Sequence, residues 1–162
     1  MRALIATLSL ALSTTLTAAA EPILKIINFT ADWCRNCRIL DPRIDEALLG
    51  FEDGAIEVVR LDMTNAGRGA SPEQKLATQA DAIRLADANG AGYLWDWYGG
   101  ATGIAVAIAA DNGEPITCFQ RTLTAKQIEE RLNLAKILAE RAPPGRRKPN
   151  GPDCIPPIKR GG

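Results

Sequence analysis

The sequence predicts an α/β domain, and three observations carry that expectation. Four apolar runs of strand length, residues 23–29, 56–61, 104–109 and 116–121, are interleaved with three segments whose apolar residues recur at helical spacing. The last two runs flank Asp111-Asn112-Gly113-Glu114, a hairpin turn signal that pairs them antiparallel. The composition, 46% hydrophobic and 23% charged over 162 residues, suits one globular domain with its own core and leaves no room for a second.

The first run, Ile23-Leu24-Lys25-Ile26-Ile27-Asn28-Phe29, is almost continuously apolar and β-branched, as a buried central strand should be. From Arg35 to Leu49 the residues Ile39, Leu40, Ile44, Ala47 and Leu48 recur at helical spacing, Gly50 supplies a stop, and Pro42 inside the helix removes one backbone donor and should kink the axis. A second strand follows. Residues 65–70 form a glycine-bearing loop, and Ser71-Pro72-Glu73 caps a helix to about Ala88, with Leu76, Ala80, Ile83 and Ala86 as its expected apolar face. Residues 91–103 gather Tyr93, Trp95, Trp97 and Tyr98 among glycines and are expected to be a loop whose aromatic rings pack on the core or line a contact surface. After the hairpin, Thr124 caps a last helix to about Arg141, with Ile128, Leu132, Ala135 and Leu138 facing inward.

The two ends differ from this body. Met1-Arg2, an uncharged run from Ala3 to Leu16, and Thr17-Ala18-Ala19-Ala20 before Glu21 follow the order of an export signal, so residues 1–20 are expected to be cut away, with retention as an N-terminal anchor the alternative. The run is shorter than the roughly 20 apolar residues of a membrane span and is broken by Ser9, Ser13, Thr14 and Thr15. No membrane span is expected after cleavage, and with no cysteine near the cut a lipid anchor is unsupported. The mature chain is therefore expected in the periplasm or secreted. Residues 21–141 form the domain, and residues 142–162 a Pro/Gly/basic tail, expected to be extended and outside any packed core. Charge follows the same division: residues 21–140 hold 12 Lys/Arg against 18 Asp/Glu, and residues 141–162 hold six Lys/Arg and only Asp153. The tail has no aromatic residues and the body no basic helical stripe, so no nucleic-acid partner is expected.

The chain has no histidine. That removes Ser-His and Cys-His catalysis and His-containing zinc sites, and Arg38 stands where haem attachment after a CxxC needs His. What remains is mainly the chemistry of four cysteines. Cys34 and Cys37 lie between the first strand and the first helix, where Cys34 is expected to cap the helix that Cys37 enters one turn later. The free N–H groups and positive dipole end of that helix favour a thiolate at Cys34. An all-cysteine zinc site would also need Cys118 and Cys154, which lack paired spacing.

Phe29-Thr30-Ala31-Asp32-Trp33-Cys34-Arg35-Asn36-Cys37, with Pro42 five residues on, resembles the active-site signature of the thioredoxin family, and Gly103-Ile104-Ala105-Val106 leading to Asn112-Gly113-Glu114 resembles that family's later strand and turn. The resemblance spans about residues 23–138, with an enlarged segment between Thr64 and Gly103. It implies a thioredoxin-like fold, a central mixed sheet of about four strands flanked by helices. It also implies thiol-disulfide exchange with protein substrates, Cys34 as nucleophile and Cys37 as resolving thiol, with no cofactor and with an electron-donor protein as partner. Exported relatives often serve cytochrome maturation or envelope disulfide reduction, and the expected role is that of a reductase or isomerase-like partner rather than a general oxidant.

The sequence departs from that family at three places. Ala105 stands where the family usually has a cis-proline, so the Ile104–Ala105 bond is expected to be trans, because a cis non-proline bond costs about 3 kcal/mol. Asn28 stands where the family has a buried acid, and an amide cannot take a proton from Cys37; deprotonation would then rely on water or on another group nearby, Asp32 or Arg60. Between the cysteines, Arg35-Asn36 is neither Gly-Pro nor a His-containing pair. Arg35 either lowers the Cys34 pKa or is a solvated first-turn residue. Cys118 and Cys154 either form a structural disulfide across the sheet or stand as a buried core thiol and a free tail thiol. Two other functions use the same residues: a copper-binding or chaperone module holding Cu(I) between Cys34 and Cys37, and a scaffold that binds a partner through Trp95, Trp97 and Tyr98.

Overall fold

The computed structural model describes residues 21–145 and 154–157. Residues 1–20, expected to be an export signal, and most of the tail lie outside the described residues. The elements run β1 Leu24–Thr30, α1 Cys37–Leu48, β2 Ile56–Asp62, α2 Pro72–Ala88, α3 Gly92–Tyr98, β3 Ile104–Ala109, β4 Pro115–Gln120 and α4 Ala125–Ala139. The sheet order is β2-β1-β3-β4, with β1 parallel to β2 and antiparallel to β3, and β4 antiparallel to β3. This mixed four-stranded sheet with helices on both faces is a thioredoxin-like α/β fold.

The apolar runs explain the layering. β1 is flanked on both edges and buried except at Lys25, whose ammonium donates to Asn89 Oδ1 at 2.9 Å and pairs with Glu57 at 3.6 Å. Alternation along β1 sends Leu24 and Ile26 to one face, where they meet Leu40, Ile44 and Ala47 of α1 and Ile128, Leu132 and Ala135 of α4. Ile27 and Phe29 go to the other, against Ala82 and Ala86 of α2 and Leu94, Trp95 and Tyr98 of α3. Both long helices that follow loops start on reciprocal capping boxes, Ser71 with Gln74 and Thr124 with Gln127.

Three expectations need correction. The aromatic segment is not a loop: residues 92–98 form α3, with Ala91, Leu94, Trp95 and Tyr98 buried at helical spacing. In α2, Ala86 of the expected face is buried and Ile83 packs partly buried against the core, but Leu76 is 67% exposed and Ala80 is also exposed; the buried row runs through Ala82 and Ala86 instead. In α4 the inward row ends on Ala139, and Leu138 is 46% exposed.

The tail also departs from expectation. Cys154 is buried, Ile155 packs against the α2/α3 core, and the Tyr98 hydroxyl donates to the Ile155 carbonyl at 3.2 Å. Composition alone assigned this segment no core role, because its two anchoring residues are isolated among Pro, Gly and charged neighbours.

Candidate active site

β1 ends at Thr30, and the chain turns through Ala31 to Asn36 before entering α1, which places the Cys34/Cys37 pair beyond the carboxyl end of a central strand. Loops beyond the strand ends are where open α/β sheets carry their sites. Cys34 and Cys37 are joined as a disulfide with their Cα atoms 5.3 Å apart. The residue at the cap position is Asn36, not Cys34, and Asn36 makes no side-chain cap bond. The sulfur fills that role instead: the Cys37 N–H donates to Cys34 Sγ at 3.1 Å. A helix-terminal donor thus already points at the atom on which negative charge would develop after reduction.

Exposure separates the two cysteines, Cys34 at 6% and Cys37 at 1%. Around them Trp33 is 49% exposed, and Asp32, Arg35 and Asn36 are exposed. Trp33 is nevertheless fixed: its indole N–H donates to the Thr64 carbonyl at 3.0 Å, and the Asp32 N–H donates to Thr64 Oγ1 at 3.0 Å. Thr64 is in turn held by Asp62, whose Oδ1 accepts its backbone N–H at 2.8 Å. Gly67 permits this closeness, since a Cβ there would lie 2.8 Å from Trp33 Nε1. The loop after β2 therefore forms one wall of the site.

The opposite wall is the loop before β3. No peptide bond among the described residues is cis, so Ile104–Ala105 is trans. Ala105 is fully buried within β3, opposite Asn28, with its side chain in the α1/α4 core. The residue this loop presents to the disulfide is Gly103. Its φ is +84°, its N–H donates to the Phe29 carbonyl at 2.8 Å, and a Cβ on it would lie 3.4 Å from Cys34 Sγ and 2.6 Å from Asn36 Cβ. Gly103→Ala is therefore expected to cost about 2–3 kcal/mol, summing the left-handed backbone penalty and the overlap with Asn36. A urea midpoint unchanged from wild type would contradict this.

Sequence reasoning missed a polar group on α1 one turn beyond Cys37. Asp41, four residues after Cys37 on α1, accepts from Asn28 Nδ2 at 3.0 Å and from the Thr30 hydroxyl at 2.5 Å. The helical spacing Cys37/Asp41 was the available signal. Neither Asp32 nor Arg60, the groups expected to help deprotonate Cys37, occupies this place: Asp32 is exposed, and Arg60 pairs with Asp45 at 2.5 Å. Away from this site, Cys118 of β4, fully buried, is bonded to Cys154, with Cα atoms 5.0 Å apart.

Residues 11–77 match the family model described as Thioredoxin, a stretch that includes β1, both active-site cysteines, α1 and β2. Among solved structures, the crystal structure of StoA from Bacillus subtilis is similar with a TM-score of 0.44 at 17% identity, over 70% of this chain and 84% of that one. No curated protein matches the chain.

Proposed function

We propose that this thioredoxin-like chain is an extracytoplasmic thiol-disulfide oxidoreductase that exchanges disulfides with protein substrates through Cys34 and Cys37. The observation that carries the proposal is the bonded pair at the mouth of α1, with the Cys37 N–H directed at Cys34 Sγ. In the reduced chain that donor and the helix dipole stabilise a Cys34 thiolate, which attacks a substrate disulfide and forms a mixed disulfide. Cys37, the more buried thiol, then attacks Cys34 Sγ and expels the substrate thiolate, so that two electrons pass from the dithiol to the substrate. The export pattern in residues 1–20 supports a periplasmic or secreted location, where an electron-donor protein must return the pair to the dithiol.

The direction proposed is reduction. Insulin reduction under a dithiol donor tests the function: wild type is expected to accelerate it, and Cys34→Ser to fall to background. Equal, negligible rates in the two would overturn the proposal. Equilibration with a glutathione redox series tests the direction, with a potential more negative than about −200 mV expected. A potential near that of a strong oxidant, about −120 mV, would reverse it.

A further inference from the structure

We propose that Arg35 and Arg68 select disulfides flanked by acidic residues, drawing an acidic polypeptide segment into the hollow beside Trp33. This rests on the exchange function proposed above and adds to it the class of substrate.

The loop after β2 and the start of α2 enclose, with the indole of Trp33, an open hollow of about 440 Å³ lined also by Gly67, Arg68, Gly69 and Gln74. Trp33 is both a wall of this hollow and the chain neighbour of Cys34, so a segment lying in it would run up to the disulfide. The indole is already held by the Thr64 carbonyl, and a fixed aromatic face loses little freedom when a partner docks on it. Gly69 keeps the outer side clear, since a Cβ there would meet nothing within 4 Å.

The charge at this end runs against the composition of the domain. Residues 21–140 hold 18 Asp/Glu against 12 Lys/Arg, yet Arg68 lines the hollow and Arg35 stands between the two cysteines. Both are exposed, and among the described residues neither has a carboxylate within ion-pair distance. The other charged groups nearby are engaged. Arg38 reaches the Asp32 carbonyl at 3.5 Å and so offsets the Asp32 carboxylate, Asp62 turns its carboxylate to the Thr64 N–H and hydroxyl, and Glu73 is hydrogen-bonded with Ser71 at the start of α2. The opposite wall, residues 101–103, carries no charge.

A guanidinium recognises a carboxylate through paired N–H donors and keeps its charge throughout the working pH range. Two such groups, unpaired and exposed on either side of Trp33 in the sequence, therefore favour a chain that carries Asp or Glu beside its disulfide. Their field also raises the rate at which such a chain meets Cys34.

The test uses three fluorogenic peptides that enclose the same disulfide and are flanked by Glu, by Gln or by Lys. The reduced wild-type chain is expected to cleave the Glu peptide about tenfold faster than the Lys peptide at low salt, with the Gln peptide between them. The gap is expected to close to about twofold at about 0.5 M salt, because exposed charges are screened. Arg68→Gln and Arg35→Gln are each expected to shrink the Glu-to-Lys ratio about threefold, and Arg68→Glu to bring it to one or below. The ratio is read within each variant, so a change in Cys34 reactivity or in the folded fraction, which acts on all three peptides alike, cancels. Arg84→Gln removes the same charge about 15 Å further along α2 than Gln74 and is expected to leave the ratio in place. Equal rates for the three peptides in wild type, or a ratio that Arg84→Gln lowers as much as Arg68→Gln does, would overturn the selection while leaving exchange intact. Failure to cleave any of the three would instead overturn the exchange function.

Discussion

Replacing Cys37 with serine is expected to leave the chain covalently joined to its substrates. Cys34 keeps the helix-terminal N–H of residue 37 as a donor to its sulfur, because that bond comes from the backbone. The attack therefore survives, while the thiol that would release the substrate is gone. Reductant-sensitive adducts should accumulate on non-reducing gels, and turnover of insulin should drop to background. A Cys37→Ser chain that turned over like wild type would mean that an outside thiol performs the release and that the buried partner is dispensable.

Removing the second disulfide is expected to have the largest effect on stability. Cys118 and Cys154 are 36 residues apart in sequence, and a cross-link closing a loop of that length is worth about 4 kcal/mol in the chain-entropy account. Domains have only about 5–15 kcal/mol in total. The double variant Cys118→Ala/Cys154→Ala should therefore melt more than about 10 °C below wild type. Below its melting point it should still carry out exchange, because Cys34 and Cys37 are held by β1, α1 and the Gly103 loop. A melting temperature within about 2 °C of wild type would show that packing of Ile155 and the Tyr98 hydrogen bond alone retain the tail.

What was legible in the sequence was local. β1, the hairpin turn at Asp111–Glu114 and the starts of α2 and α4 are written in short patterns, and each formed within a residue or two of its expected place. α3 was hidden because it has only seven residues and glycines crowd both its ends, which masked the period of Ala91, Leu94, Trp95 and Tyr98. The inward rows of α2 and α4 were read correctly at Ile83, Ala86, Ile128, Leu132 and Ala135 and wrongly at Leu76, Ala80 and Leu138, since side-chain apolarity does not say which of two adjacent rows meets the sheet. At the site, the cysteines and Trp33 stood out by motif. Asp41, Thr30, Thr64 and Gly103 did not, because their importance comes from which strand or loop the fold sets beside them. Asn28 was noticed as a substitution, but its partner on α1 becomes visible only when strand and helix are packed together.

The bond between Cys118 and Cys154 also sets an order of events during synthesis. Residue 118 is made in the β-hairpin, and its partner emerges only after α4 is complete. Until then a nascent domain that already has all its strands carries an unmatched sulfur in the same core as Cys34 and Cys37. Its last covalent tie forms only after the rest of the fold has been translated, so a chain released before residue 154 would keep every strand and helix described here while lacking its clasp.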